Sequence, residues 1–221
     1  MSRLSYRDSG GAGSPVVLLH GGASSAATWD RFAAVLATAG RRTVAVDLPG
    51  HGASPRARSY PLTRFHDDVA HLLDLLGLDR VALVGHSLGA HTALLLAQSR
   101  PHQVSHLVLE ELPVPGTSSG RRFLLPALAV LAARRRFDPR AVVSAVRQLR
   151  SPDPAWWDRL GSVSASTLLV SGGPRSHVPP ARLAEVARAI PAARLVTIPV
   201  GHRVHSHDPA GFHAAVLPFL S

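Results

Sequence analysis

The chain contains no cysteine and no lysine. Without cysteine it has neither disulfide bonds nor a thiolate that could act as a nucleophile or bind a metal. All 24 basic residues are arginine, a composition typical of a bacterial genome rich in G and C. The lack of cysteine also fits a reducing cytosol, so we expect a cytoplasmic protein.

Long apolar runs are absent as well. The first eight residues lack the apolar core of a signal peptide. The longest apolar run near a predicted helix, 123–133, has eleven residues, whereas a membrane-spanning helix needs about 20. Aromatic residues make up only 5% and no RNA- or DNA-binding motif is visible. We therefore expect neither a membrane nor a nucleic acid as partner, despite the net charge of +10.

Short apolar runs alternate with amphipathic segments along most of the chain. This alternation predicts one domain over 1–221, an α/β fold whose mostly parallel central sheet carries helices on both faces. We predict strands at 15–20, 42–47, 80–85, 104–110, 167–171 and 194–198. We predict helices at 27–39, 62–76, 88–99, 180–189 and 209–220.

The segment 113–160 breaks this alternation. It contains no convincing strand and several prolines, and it lies between two predicted strands. We interpret it as a small helical lid inserted into the domain. The stretch from Leu112 to Leu160 contains nine arginines and three aspartates, so it contributes +6 to the net charge. The excess charge is either a solvated helical face or a surface that attracts an acidic substrate or protein.

The strongest local motif is Gly85-His86-Ser87-Leu88-Gly89. It follows the predicted strand 80–85 and opens the predicted helix 88–99, the context of a nucleophile elbow. The turn is tight, and glycine at 85 and 89 supplies the space that it needs. The unpaired N–H groups of the following helix favour negative charge near Ser87. An ordinary strand–helix turn that contains serine is the alternative.

Four segments together resemble the α/β-hydrolase superfamily over nearly the whole chain, in its esterase- and lipase-like branch. In chain order they are His20-Gly21-Gly22, Asp47-Leu48-Pro49-Gly50-His51-Gly52-Ala53-Ser54, the Ser87 motif and Gly201-His202. The resemblance implies a serine nucleophile at Ser87. It implies a structural role for the second segment, in which we expect His51 to cap or pack.

The resemblance also implies an oxyanion hole. In such proteins one N–H comes from the turn after the first core strand and the other from the residue after the nucleophile. Those donors are Gly22, with Ala23 as the second choice, and Leu88. A glycine turn that merely reverses the chain is compatible with this role.

His202 is the best candidate for the general base among 13 histidines, because it occupies the family's Gly-His position. His205 and His207 follow closely, which would suit a metal cluster, but no carboxylate stands in a zinc-enzyme motif. We expect neither a metal nor a cofactor. His86 has a packing or supporting role as its default, with the substrate pocket as the alternative.

The acid of the triad is missing from its usual place. The superfamily usually has an aspartate in the loop that is 171–179 here, where Arg175 or Ser176 stands instead. Some branches place the acid after the strand that follows the nucleophile helix. There this chain has Glu110 and Glu111; we favour Glu111, with Glu110 as the alternative. Ion pairing with the arginine-rich insertion is the alternative explanation of these glutamates.

Three functions remain open from the sequence. The first is a hydrolase for small or medium apolar carboxylic esters, with a lid whose Phe123, Trp156 and Trp157 line the pocket or contact the core. The second is a thioesterase or cyclase-like enzyme that acts on acyl chains bound to an acidic carrier protein docked at 134–136. The third is a non-catalytic ligand-binding protein on a hydrolase scaffold.

Overall fold

A computed structural model describes residues 4–115, 136–150 and 153–221. These residues form one seven-stranded sheet in the order β1-β3-β2-β4-β5-β6-β7. Only β1 runs antiparallel to its neighbour, β3. The strands are β1 (Tyr6–Asp8), β2 (Val16–Leu19), β3 (Thr43–Val46), β4 (Val81–His86), β5 (Val104–Glu110), β6 (Ser166–Ser171) and β7 (Ala193–Thr197).

Helices cover both faces of the sheet, as the sequence predicts. They are α1 (Asp30–Thr38), α2 (Leu62–Leu75), α3 (Leu88–Ser99), α4 (Pro139–Arg150), α5 (Pro180–Ala189), α6 (Val204–His207) and α7 (Pro209–Leu220). Alternate residues of a strand point to opposite faces, so Val17 and Leu19 pack with α2 and α3. Val16 and Leu18 pack with α1 and α7 on the other face.

The edge strand β1 was not predicted from the sequence. Its three residues are all exposed and carry no apolar alternation, the pattern on which strand prediction depends. Pairing with β3 and the ion pair between Arg42 and Asp8, 2.6 Å, hold it in place. Tertiary contacts therefore create this strand.

The described part of the predicted lid is helical. It contains α4 and two short 3₁₀ turns, Pro154–Trp156 and Asp158–Ser162. Trp156 is buried in the core layer that contains α2 and α3, and Trp157 packs against that layer. Their contacts favour the core interpretation over the pocket interpretation. Phe123 lies outside the described residues, and a lid function for 113–160 stays a prediction.

Parallel strands end at one edge of the sheet, and this edge gathers the predicted site residues. β4 ends at His86, directly before Ser87, and His86 is the register partner of Glu110 at the end of β5. The loop after β6 and the residues after β7 reach the same edge. Residues distant in sequence, such as Ser87 and His202, thus belong to one region of the molecule.

Within the described ranges we find no helix with the length and apolar character that crossing a membrane requires.

Candidate active site

Ser87 occupies a strained turn between β4 and α3. Its φ of 50° and ψ of −112° lie in a region that non-glycine residues rarely adopt, and its N–H donates to the carbonyl of Glu110 at 2.9 Å. A Cβ on Gly85 would lie 2.4 Å from the Gly89 carbonyl oxygen. The turn therefore has no room for a side chain at Gly85, as the sequence predicts. Strain of this kind is held at functional turns by the surrounding structure.

We call Gly22 and Ala23, which follow β2, the oxyanion turn. Among the described residues one of its N–H groups has no hydrogen-bond partner and the other is occupied. The Ala23 N–H donates to Nε2 of His51 at 3.2 Å, so it is already engaged. Gly22 is exposed, and within the described parts of the chain a Cβ built on it would have only Val142 within 4 Å, at 3.8 Å. Leu88 is the first residue of α3, so its N–H has no partner within that helix. This geometry favours Gly22 and Leu88 over Ala23.

His51 supports the oxyanion turn, in line with its predicted structural role. Its Nδ1 lies 3.0 Å from the carbonyl of Pro49, which can only accept a hydrogen bond, so Nδ1 carries the proton. Nε2 is then the acceptor for Ala23, whose φ is 61°. Burial lowers the pKa of His51 and keeps this neutral form. The side chain of Asp47 supports the same region by accepting from the N–H groups of Ala26 and Ala53.

Glu111, the favoured candidate for the acid, forms a hydrogen bond with His202. The His202 Nδ1–H donates to Oε2 of Glu111 at 3.0 Å, and the glutamate is fully buried. The positive φ of Glu111, 54°, turns the residue away from the line of β5. The Gly172 N–H donates to Oε1 at 2.5 Å and the Ser176 hydroxyl donates to Oε2. The carboxylate is thus satisfied on both oxygens.

Ser176 explains why the usual aspartate is missing from the loop after β6. This loop does not supply the carboxylate; it supplies two hydrogen-bond donors, from Gly172 and Ser176, to a carboxylate from the end of β5. A serine two positions before a Val–Pro pair carries no distinctive pattern in the sequence. Its role therefore emerges only from the contact with Glu111.

Glu110, the alternative acid, binds a different histidine. Its Oε2 lies 2.7 Å from Nδ1 of His205, and its Oε1 accepts from the His205 backbone N–H at 3.0 Å. Nε2 of His205 lies 2.8 Å from the Thr28 hydroxyl. Burial raises the pKa of Glu110, but electrostatic attraction to the His205 and His86 imidazoles and the hydrogen bonds of His205 outweigh it and hold that pKa below its usual value.

The three clustered histidines 202, 205 and 207 do not converge. His202 binds Glu111 and His205 binds Glu110, whereas Nδ1 of His207 lies 3.3 Å from the carbonyl of Val200. Among the residues that the structure describes, no three His, Asp or Glu side chains are arranged to hold a metal ion. The three histidines that are close in sequence therefore contact three different partners.

His86 links the nucleophile to the histidine loop. Its Nε2–H donates to the carbonyl of His202 at 2.8 Å, and the two rings lie 4.7 Å apart. His177 also packs against His202, with 3.8 Å between ring centroids. Among the described contacts there is no direct hydrogen bond between Ser87 Oγ and the His202 imidazole. The contact expected between Ser87 and His202 therefore stays a prediction, and His86, the residue before Ser87, is the side chain that contacts His202.

Burial sets the charge state of His202. It lowers the pKa of this imidazole to about 4, and the neighbouring His205 and Arg203 act in the same direction. Burial raises the pKa of Glu111, against the effect of the Gly172 N–H and the Ser176 hydroxyl. Near neutral pH His202 is therefore unprotonated on one nitrogen and able to accept a proton.

Comparison with known proteins agrees with this architecture. A family model described as alpha/beta hydrolase fold matches residues 14–147. The mouse sn-1-specific diacylglycerol lipase ABHD11 is 30% identical over 93% of this chain and 80% of its own length. A 2-hydroxy-6-oxononadienedioate/2-hydroxy-6-oxononatrienedioate hydrolase from Burkholderia vietnamiensis is 39% identical, over 48% of this chain and 39% of its own. A hydrolase structure from Pseudomonas aeruginosa PA01 superposes with a TM-score of 0.84 at 24% identity, covering 99% of this chain and 94% of that one.

Proposed function

The chain belongs to the α/β-hydrolase family, and we propose that it is a serine hydrolase that cleaves a carboxylic ester of a small or medium apolar substrate. The observation that carries this proposal is the hydrogen bond between Glu111 and His202 beside the strained Ser87 turn. The mouse relative, named a lipase, supports an ester substrate because the similarity extends over most of both chains.

The reaction proceeds through an acyl-enzyme. Ser87 Oγ attacks the ester carbonyl carbon while Nε2 of His202 takes its proton, and His202 then returns that proton to the leaving alcohol. Water repeats the sequence and releases the acid. The reaction requires Nε2 to come within hydrogen-bond distance of Ser87 Oγ when substrate binds, since catalytic hydrogen bonds often tighten only in the substrate complex. The N–H groups of Gly22 and Leu88 bind the oxyanion, each contributing about 3 kcal/mol.

A fluorophosphonate probe tests the nucleophile. We expect the wild-type protein to be labelled at Ser87 and to hydrolyse p-nitrophenyl esters, and we expect Ser87→Ala to do neither. Ser99→Ala, at the other end of α3, is the matched control and should behave like the wild type. Labelling is read by mass spectrometry of the proteolysed protein. An unlabelled but folded wild type would instead favour the ligand-binding scaffold.

A second candidate function, a thioesterase for acyl chains on an acidic carrier protein, is favoured by a basic stripe on α4. We define the basic stripe as the exposed face formed by Arg136, Arg140, Val143, Arg147 and Arg150. Arg140, Val143, Arg147 and Arg150 are spaced by three and four residues, which places them on one side of α4, and Arg136 precedes this helix in the chain. Val143 is 62% exposed. Residues 134 and 135 of the predicted docking point lie outside the described residues.

The basic stripe adjoins the site. Val142, on the same helix, is the side chain nearest to a Cβ built on Gly22, at 3.8 Å. A carrier docked on α4 would therefore present its acyl chain next to the oxyanion turn. Carrier proteins of this kind are acidic, and complementary charge raises the rate of encounter.

Charge reversal distinguishes the two substrates. We expect Arg147→Glu to lower kcat/KM for a carrier-bound acyl thioester about tenfold at low ionic strength, through slower association. The same variant should leave hydrolysis of a free ester unchanged. Arg31→Glu, exposed on α1 at the opposite face of the sheet, is the control for net charge. Equal responses of both substrates to Arg147→Glu and to added salt would exclude carrier docking.

A further inference from the structure

The proposed reaction leaves one buried ionisable pair unused, that of Glu110 with His205. We propose that Glu110, His205 and Thr28 form a positioning unit that holds the loop of His202 in place for proton transfer. This inference rests on the proposed serine-hydrolase function. The positioning unit consists of these three residues only.

The hydrogen bonds of the unit immobilise His205 completely. Both oxygens of Glu110 lie within hydrogen-bond distance of Nδ1 of His205, at 2.9 and 2.7 Å, and Oε1 also accepts the backbone N–H. Thr28 contacts Nε2 at 2.8 Å, and the ring of Trp29 stacks on the imidazole with centroids 4.3 Å apart. Backbone, both ring nitrogens and ring face are thus all fixed.

The same contacts fix His202, three residues earlier. His205 lies in α6, which starts two residues after His202. The carbonyl of His202 accepts from His86, the register partner of Glu110 on the neighbouring strand. The adjacent strands β4 and β5 therefore hold the His202 loop at two points, the His202 carbonyl and His205. Without the anchor at His205, the hydrogen bonds of His86 to the His202 carbonyl and of Glu111 to the His202 ring would have to set the position of His202.

Burial argues against two other roles for this unit. Thr28, His205 and Glu110 form a hydroxyl–imidazole–carboxylate chain like that of a nucleophilic triad. The His205 side chain, however, is only 2% exposed and lies beneath Trp29, which leaves no room for a substrate. Even as an ion pair, Glu110 and His205 would contribute little net stability compared with apolar residues of similar volume. Orientation of the neighbouring loop is the role that remains.

Substitution of His205 tests this proposal, with the asparagine variant as rescue. The amide nitrogen of His205→Asn can replace Nδ1 as a donor to Glu110, whereas His205→Leu fills the space without any side-chain hydrogen bond and keeps only the backbone N–H contact. For His205→Leu we expect kcat for a p-nitrophenyl ester to fall on the order of 10- to 100-fold, because small misplacement of a catalytic group has effects of this size. We expect KM to stay unchanged and His205→Asn to recover most of the loss.

The measurement must exclude effects of folding and of proton binding. Active sites are counted with the fluorophosphonate probe, and kcat is measured on the high-pH plateau of the rate profile. His207→Asn, on the same short helix but exposed, is the matched control and should retain wild-type kcat. If His205→Leu fails to fold, Thr28→Val is compared with Thr28→Ser, and we expect only the valine variant to lose kcat.

Two outcomes would overturn the inference, and they differ from failure of the proposed function. Wild-type kcat per labelled site in His205→Leu, with a lowered melting temperature, would show a purely structural pair. Where the leucine variant does not fold, equal kcat of the two Thr28 variants would likewise show that the pair is purely structural. A wild-type protein that the probe does not label would remove the serine-hydrolase proposal itself, and this inference with it.

Discussion

Replacing Glu111 by glutamine is expected to reduce kcat for ester hydrolysis by about 10⁴-fold, with KM and folding preserved. The substitution keeps the shape of the side chain, removes its charge and replaces one acceptor oxygen by an NH2 donor. In a serine–histidine–carboxylate arrangement the carboxylate fixes the imidazole tautomer and stabilises its protonated form. The loss should therefore appear in the proton-transfer steps, which kcat measures.

The surroundings of Glu111 determine how the glutamine would lie. The Gly172 N–H can only donate, so an oxygen must face it, in the position that Oε1 now occupies. The amide nitrogen then takes the position of Oε2, facing Nδ1 of His202. To avoid two opposed N–H groups, His202 must move its proton to Nε2. That nitrogen could then no longer accept the proton of Ser87.

The third glutamate in the chain provides the control. Glu185 forms an ion pair with Arg182 on α5, so Glu185→Gln removes one negative charge without touching the site. We expect wild-type kcat for Glu185→Gln, and thermal unfolding of both variants checks that they fold. A Glu111→Gln protein whose kcat stays within about tenfold of the wild type would mean that His202 does not depend on this carboxylate, given the effect expected of a triad acid.

The fold was largely predictable because it depends on local patterns. The buried strands β2 to β6 are short runs of β-branched residues and leucine, and such runs are recognisable without any tertiary information. The Ser87 turn was equally visible, since glycine at 85 and 89 is the chemical requirement of the turn itself. The exposed strand β1 carries no such pattern and depends on its pairing with β3.

The partners of the two glutamates were only partly predictable. Adjacent residues at a strand end face opposite ways, so the sequence indicated that one of the pair at most could reach His202. The structure forms that contact with Glu111 and directs Glu110 to His205. Neither the contact between Glu110 and His205 nor the hydrogen bond from Ser176 to Glu111 can be predicted from the spacing of residues in the sequence. Both contacts join segments more than 60 residues apart.

Gly89→Ala is expected to destabilise the protein by at least about 3 kcal/mol, more than most single substitutions. A Cβ at this position would lie 2.1 Å from the carbonyl oxygen of Leu19 and 2.7 Å from that of His20. These are backbone atoms at the end of β2, a central strand paired on both sides with β3 and β4. The clash therefore cannot be relieved by rotating a side chain.

The same close approach brings the two candidate oxyanion donors together. Gly89 lies in the first turn of α3, next to Leu88, and the backbone that it contacts leads into the turn of Gly22. Any displacement of α3 that accommodates a methyl group separates the N–H of Leu88 from that of Gly22. Variants that still fold should therefore lose kcat as well as stability, since loss of one donor alone costs about 10²–10³-fold.

Urea unfolding followed by tryptophan fluorescence measures the stability change, with Gly161→Ala as the matched control. A Cβ at Gly161 would meet no atom within 4 Å, so we expect its stability to stay within about 0.5 kcal/mol of the wild type. If Gly89→Ala matched that control in stability and in kcat, α3 could not pack against the end of β2 as closely as the structure has it. The paired donors of the oxyanion hole would then require a different geometry.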